Sequence, residues 1–100
     1  MTSDPTLDEI KARLKAMLPD LRQRYGVSYL GVFGSWIRGE QGSGSDLDLL
    51  VDFDRVPPGW GEVDLELELR DRLGLPVDLV PRRQLKPFIA ERIMREVQAI

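Results

Sequence analysis

The chain has 100 residues, a formal net charge of −3 at pH 7, and neither cysteine nor histidine. Disulfides, thiolate zinc sites and histidine-based acid–base catalysis are therefore excluded, and a bound metal would be a hard cation held by oxygens, such as Mg²⁺ or Mn²⁺. The acidic balance disfavours direct nucleic-acid binding, and the lack of a long apolar run or signal peptide favours one cytoplasmic domain over residues 1–100 with no membrane partner.

The N-terminal segment has the pattern of an amphipathic helix. Apolar residues recur at three- and four-residue steps from about Thr6 to Arg24, which predicts a helix with one buried face. Thr6 and Glu9 form a plausible capping box, and Gly26 supplies a stop. Pro19 interrupts the pattern, and because proline lacks a backbone donor we expect a kink or a split there.

Two apolar runs predict strands in the middle of the chain. They are Val27–Phe33 and Asp46–Phe53, separated by the polar loop Glu40–Ser45. A short turn of helix is expected to start at Ser35, because its hydroxyl is well placed to cap the turn.

The segment Val63–Leu69 alternates as a strand would, but Leu65, Leu69 and Leu73 also lie on one helical stripe. Leucine and glutamate are strong helix formers, and Arg70, Arg72 and Gly74 suit a helix end, so a helix is favoured. A third strand follows at Val77–Val80. The last segment predicts a helix, Phe88–Ile100, whose buried stripe consists of Ile89, Ile93, Val97 and Ile100. This order of elements predicts an α/β (α+β) fold, with a small mixed sheet of three or more strands covered by helices.

Three aspartates are expected to converge at one patch of the sheet if the second and third strands are neighbours. Asp46 and Asp48 are two residues apart in a strand, so their side chains should share one face. Asp78 has the equivalent parity in the third strand. Three carboxylates around one or two Mg²⁺ ions meet the needs of phosphoryl-type transfer.

A phosphate-binding turn is expected directly before the acidic pair. Gly34 lets the backbone approach phosphate oxygens, and Ser35 can donate its hydroxyl or, at a helix start, present backbone N–H groups. Arg38 should lie on the same side of the short helix, where a guanidinium can make bidentate phosphate contacts.

These residues together resemble a known family. Gly34-Ser35, ten intervening residues and then Asp46-x-Asp48, with Ser45 before the first aspartate, is similar to the minimal nucleotidyltransferases of the DNA polymerase β-like superfamily. The resemblance covers almost the whole chain and implies the polymerase β-like nucleotidyltransferase fold. It implies that Asp46 and Asp48 are metal ligands, that Asp78 is a third ligand or a base, and that Gly34 and Ser35 hold a nucleoside triphosphate.

The same resemblance implies a partner. Members are commonly antitoxins paired with a toxin of the higher-eukaryote-and-prokaryote nucleotide-binding (HEPN) family, and some transfer AMP from ATP to a tyrosine of that toxin. The chain is too short to carry extra domains for DNA or RNA, so a protein hydroxyl is the expected acceptor. The alternative is a non-catalytic binding module that neutralises its partner by occlusion. A small-molecule acceptor is a third, weaker alternative, because no second domain could form its pocket.

Overall fold

The computed structural model describes residues 5–42 and 44–100, which form four helices and a four-stranded sheet. In chain order the elements are α1 (Leu7–Tyr25), β1 (Val27–Phe33), α2 (Ser35–Arg38), β2 (Leu47–Phe53), α3 (Gly61–Leu73), β3 (Val77–Pro81), α4 (Pro87–Glu96) and β4 (Gln98–Ala99). A 3-10 turn, Arg82–Gln84, connects β3 to α4. In the described residues, no helix combines the length and apolarity needed to cross a membrane.

The sheet is mixed, with strand order β3-β2-β1-β4. Strand β1 runs antiparallel to both β2 and β4, whereas β2 and β3 are parallel and are joined through α3. In the β2–β3 register, Leu47 lies opposite Val77 and Asp48 lies opposite Asp78. The predicted α+β class is confirmed, and β2 and β3 are neighbours, which is the condition on which the convergence of the three aspartates depends.

One face of the sheet carries the hydrophobic core. Helices α1 and α3 pack on this face and against each other. Their fully buried side chains meet the β2 residues of one parity, as predicted. The residues that form this contact are Ile10, Leu14, Leu21, Leu47, Leu49, Val51, Leu65 and Leu69. Because this parity is buried, Asp48 must lie on the opposite face of the sheet.

Helix α1 runs through Pro19 without a break, so a split at this position was a wrong expectation. Pro19 is exposed, and so is Lys15, whose carbonyl lies one turn earlier. That carbonyl can take water as its partner instead of the missing N–H. Leu18 and Leu21 on either side of the proline are both buried. Packing therefore holds both halves of the helix against one core.

Helix α2 begins at Ser35, as expected, but the start of β2 and the cap of α2 differ from those expected. Asp46 lies one residue before β2, because Leu47 is the first residue with a strand partner. Gly34, rather than Ser35, is the N-cap of α2, and no side chain caps this helix. The Gly34 carbonyl accepts hydrogen bonds from the N–H groups of Ile37 and Arg38, at 3.0 and 3.2 Å. The backbone thus closes the turn without the Ser35 hydroxyl.

The last helix ends earlier than predicted. It stops at Glu96, and Gln98–Ala99 then pairs with β1 as strand β4. The edge of β1 away from β2 offers unpaired backbone groups, and the Ile100 N–H donates to the Leu30 carbonyl at 2.9 Å. A Cβ on Gly31 would lie 2.6 Å from Cγ2 of Val97, so the glycine makes room for this return of the chain.

The apolar stripe predicted for the last helix is correspondingly incomplete. No residue of α4 is fully buried, and Ile89 is 36% exposed. Ile93, Val97 and Ile100 are half-buried. Because the chain leaves the helix after Glu96, Val97 and Ile100 contact the sheet as extended residues and not as part of a helical face.

A cluster of ion pairs joins the exposed sides of α1 and α3. The Arg24 guanidinium donates to Glu68 on α3 and to Asp20 on its own helix. The Tyr25 hydroxyl also donates to Glu68, at 3.0 Å. These hydrogen bonds lower the pKa of Glu68 to about 2, and the one from Arg24 has the largest effect.

We expect Glu68→Gln to lower the free energy of unfolding at pH 7 by about 1–2 kcal/mol. The Glu68 pKa is lower in the folded chain than in the unfolded one. Its contribution is therefore complete above the ordinary glutamate pKa and disappears as the pH falls toward 2. The difference between wild type and variant should shrink from pH 7 to pH 3, measured by urea denaturation.

The matched control is Glu91→Gln, which removes an exposed i,i+4 pair with Arg95. We expect a change of less than about 0.5 kcal/mol at either pH. An equal loss of stability in both variants would show that the ion pairs between α1 and α3 stabilise the fold no more than an ordinary surface pair does.

Candidate functional site

Two aspartates lie side by side at the start of the parallel strand pair. Asp48 in β2 and Asp78 in β3 are direct partners in the register. Asp46 precedes β2 by one residue, at the same end of the sheet. Asp46 and Asp78 are exposed, whereas Asp48 is half-buried. The backbone therefore brings Asp46, Asp48 and Asp78 to the same end of the sheet, which we call the acidic edge. Asp48 is the most buried of the three.

The electrostatics of Asp48 show how close its neighbours are. Burial raises the pKa of Asp48, and the negative charges of Asp78 and Asp46 raise it further. The positive charge of Arg38 acts in the opposite direction. An ionised Asp48 is thus destabilised by its surroundings, and a nearby cation would relieve this repulsion.

The three carboxylates do not form a ready-made metal cage. Within residues 5–42 and 44–100, no group of three acidic side chains stands at distances that would hold a metal ion. The donor set itself consists of hard carboxylate oxygens, the ligands that Mg²⁺ and Mn²⁺ prefer. The carboxylates of Asp46, Asp48 and Asp78 and their common position at the acidic edge fit such an ion.

Gly34 lies in contact with Asp48. Its backbone has φ +81° and ψ −150°, a region that is essentially restricted to glycine. A Cβ at this position would lie 2.1 Å from Oδ2 of Asp48 and 3.1 Å from its Cγ. The absence of a side chain therefore allows the turn after β1 to approach Asp48 closely.

The Gly34 N–H and the Arg38 guanidinium point to a common acceptor, the carboxylate of Glu96. The Gly34 N–H donates to Oε1 of Glu96 at 2.9 Å. Nη1 of Arg38 donates to both carboxylate oxygens of Glu96, each at 3.1 Å. Arg38 also contacts Glu40, with Nε 3.1 Å from its Oε2. The turn and the arginine thus already hold an anionic group.

Ser35 has a less direct position than expected. It is the first residue of α2 and is half-buried. Its carbonyl accepts the N–H of Glu40 at 2.9 Å. Ser35 is not among the described residues that line the cleft beside Gly34. Ile37, the residue before Arg38, packs against the core, and Arg38 lines that cleft.

A cleft of about 270 Å³ lies beside the Gly34 turn, and of the three aspartates only Asp48 is among its described lining residues. Gly34, Arg38 and Asp48 line one side, and residues of α4 line the other, including Ile93 and Glu96. A larger cavity, of about 580 Å³, lies between the ends of α1 and α3, and its described lining includes none of the predicted site residues. We assign the site to the smaller cleft, because it contains the charged groups that could act on a ligand.

The sequence did not identify Glu96 as a site residue. In the predicted helix Phe88–Ile100 only the apolar stripe was singled out, and Glu96 received no role. Its position becomes apparent only when the helix ends at Glu96 and β4 pairs with β1. Neither residue type nor periodicity carries this signal, since it depends on a long-range strand pairing.

Comparison with known sequences identifies close relatives. The family described as "Nucleotidyltransferase domain" matches residues 14–100. The chain is 48% identical over 92 residues to protein adenylyltransferase MntA of Thermococcus cleftensis, covering 92% of this chain and 93% of that protein. The family match over residues 14–100 spans the three aspartates, the Gly34 turn and Glu96.

Solved structures show the same fold. A structure assigned to the minimal nucleotidyltransferases is similar with a TM-score of 0.83 and 38% identity, over 99% of this chain and 100% of that one. A toxin–antitoxin structure with AMP-PNP gives 0.74 at 21% identity, over 89% and 70% of the two chains. A tri-AMPylated Shewanella oneidensis HEPN toxin in complex with an MNT antitoxin gives 0.66 at 18% identity, over 90% and 70%. The last two similarities are similarities of fold.

Proposed function

The chain belongs to the nucleotidyltransferase domain family, and from this premise we propose that it transfers AMP from ATP to a hydroxyl group of a partner protein. We propose further that the partner is a HEPN-family toxin, which the chain neutralises as its antitoxin. The 48% identity to a protein adenylyltransferase supports the reaction, and the fold shared with toxin–antitoxin complexes supports the partner. The observation that carries the proposal is the contact of the Gly34 turn with Asp48, itself paired with Asp78.

The acidic edge is the proposed site of Mg²⁺, with Mn²⁺ as a substitute. Asp46, Asp48 and Asp78 would be its ligands, and their mutual repulsion at Asp48 supports this assignment. When bound, the ion would neutralise phosphate charge and stabilise the leaving pyrophosphate. Asp78 has a second possible role, since an exposed carboxylate beside the site could take the proton of the attacking hydroxyl.

The Gly34 turn is the proposed holder of the triphosphate. The Gly34 N–H can donate to a phosphate oxygen, and the Arg38 guanidinium can bind two oxygens of one group. Both groups donate hydrogen bonds to the Glu96 carboxylate, which supports this assignment. Ser35, at the start of the adjoining α2 turn, would add its hydroxyl.

All the atoms of the proposed reaction come from ATP and the acceptor hydroxyl. The acceptor hydroxyl oxygen attacks the α-phosphorus of ATP, forming a new P–O bond as the bond between the α-phosphorus and the bridging oxygen breaks. Pyrophosphate leaves with that oxygen, and the hydroxyl proton passes to a carboxylate of the acidic edge or to water. The chain's contribution is to position the triphosphate and hold the acceptor oxygen in line.

Incubation with a purified HEPN-family toxin, Mg²⁺ and α-labelled ATP tests the proposal. We expect the label on the toxin, and we expect EDTA or Asp46→Ala to reduce labelling at least about 10²-fold. ATP labelled at the γ-phosphate should leave the toxin unlabelled, because the γ-phosphate leaves as part of pyrophosphate.

The matched control is Asp71→Ala, which removes an exposed carboxylate of α3 away from the cleft. It should label the toxin as the wild type does. The occlusion alternative makes a different prediction, namely that Asp46→Ala combined with Asp48→Ala still inhibits the toxin fully. That outcome, without label on the toxin, would contradict the catalytic account.

A further inference from the structure

We infer that the Glu96 carboxylate occupies the phosphate-binding part of the cleft and thereby sets the affinity of this chain for nucleotide. This inference rests on the function proposed above. A nucleotide phosphate and Glu96 would need the same donors, so they cannot be held there together. Glu96 is in this sense an internal competitor of the substrate's phosphate.

The contacts of Glu96 are those of a bound oxyanion. Oε1 accepts the Gly34 N–H at 2.9 Å, and the Arg38 guanidinium lies 3.1 Å from both carboxylate oxygens. One backbone amide and one arginine are a typical donor set for phosphate. The side chain of Glu96 is 27% exposed, so the contact is sheltered but open to an incoming ligand.

The fold keeps Glu96 at this position. It is the last residue of α4, and the next residues pair with β1, the strand that ends at the Gly34 turn. The Ile100 N–H bonds to Leu30 of the same strand at 2.9 Å. The carboxylate and its donors therefore belong to adjoining backbone segments, which gives Glu96 a high effective concentration at the site.

Release of Glu96 does not require the core to open. No residue of α4 is fully buried. Rotation of the Glu96 side chain would break its contacts with Gly34 and Arg38 while leaving β4 paired. Glu40 also contacts Arg38, but no contact joins it to the Gly34 N–H among the described residues. Glu96 is therefore the acidic side chain that covers both donors.

Titration of the chain with AMP-PNP and Mg²⁺ by calorimetry tests the inference. We expect Glu96→Gln to lower the Kd about tenfold relative to wild type, because the neutral amide competes less well for Arg38. Glu91→Gln is the matched control, since it removes the same charge from α4 outside the cleft. Its Kd should stay within about twofold of wild type.

An unchanged or higher Kd for Glu96→Gln would overturn the inference and would make Glu96 a structural or ligand-binding residue. Thermal unfolding checks that the variant is folded. If Glu96→Gln does not fold, Glu96→Asp is tested instead. Its shorter side chain keeps the negative charge but cannot reach the Gly34 N–H and Arg38 in the same way. For Glu96→Asp, a lower Kd supports the inference and an unchanged Kd contradicts it.

Inorganic tripolyphosphate, titrated without metal, separates this inference from the proposed function. If AMP-PNP binds to neither protein but tripolyphosphate binds more tightly to Glu96→Gln than to wild type, Glu96 competes with phosphate and the proposed function fails. If each ligand binds wild type and Glu96→Gln with the same Kd, the inference fails, whereas the nucleotide binding that the proposed function requires is retained. Absence of all binding contradicts both.

Discussion

Asp48→Asn is expected to reduce transfer of AMP at least about 10³-fold while leaving the chain folded and no less stable. Asparagine has nearly the shape of aspartate but lacks the charge needed to bind a cation. Burial and the charges of Asp78 and Asp46 raise the pKa of Asp48, so its ionised form costs stability at neutral pH. Removing that charge should therefore increase the free energy of unfolding slightly at pH 7. The measurements are toxin labelling with α-labelled ATP and urea denaturation.

Asp52→Asn is the control on the same strand. Asp52 has the same parity as Asp48 in β2, at the far end of the strand, where its carboxylate lies 3.9 Å from Arg82. We expect its labelling rate to stay within about threefold of wild type, because a half-exposed pair of this kind contributes little. Full activity of Asp48→Asn would contradict the assigned site, and an equal loss in both variants would point to a general effect of charge on this face.

Stability and function oppose one another at this edge of the sheet. Asp48 stands directly opposite Asp78, a cross-strand pairing of like charges that destabilises a sheet. Leu47 and Val77, one residue earlier on the same strands, are fully buried and stabilise it. A fold optimised for stability alone would not place two carboxylates at this position. Their presence is what the proposed nucleotidyl transfer explains.

The parts of the fold that were predicted correctly depend on short-range patterns. Alternation in β2 and β3 places Asp48 and Asp78 on the face opposite the core. Parity alone does not determine burial, because Leu50, of the same parity as Asp48, is also fully buried. The choice of helix for α3 was confirmed because Leu65, Leu69 and Leu73 form one buried stripe. The spacing of apolar residues reflects which side chains are buried, and the burial of those side chains stabilises these elements.

The parts that were predicted incorrectly depend on long-range pairing. The apolar residues Val97 and Ile100 continue the helical spacing of Ile93, so periodicity alone extends α4 to the end of the sequence. The open edge of β1 takes these last residues as a strand instead. The cleft then acquires Glu96, a residue that the sequence motif does not include. Pro19 was misjudged for a related reason, since tertiary packing of Leu18 and Leu21 outweighs the lost hydrogen bond.

Gly34→Ala is expected to lower the transfer of AMP about 10²-fold or more, although it adds one methyl group. The new Cβ would lie 2.1 Å from Oδ2, 3.1 Å from Cγ and 3.3 Å from Cβ of Asp48. Rotation of the carboxylate alone cannot relieve all three contacts, so Asp48 or the turn must move. Either movement separates the acidic edge from the Gly34 N–H. The φ of +81° adds about 1–3 kcal/mol of backbone strain.

Gly74→Ala isolates the effect of the strain. Gly74 caps α3 with φ +71°, and a Cβ there would meet no atom within 4 Å. This variant should lose about 1–2 kcal/mol of stability but label the toxin at the wild-type rate, measured below its unfolding transition. If Gly34→Ala also keeps its activity, the close approach to Asp48 is not needed for transfer. If both variants lose activity alike, the loss reflects strain in the fold and not the geometry of the site.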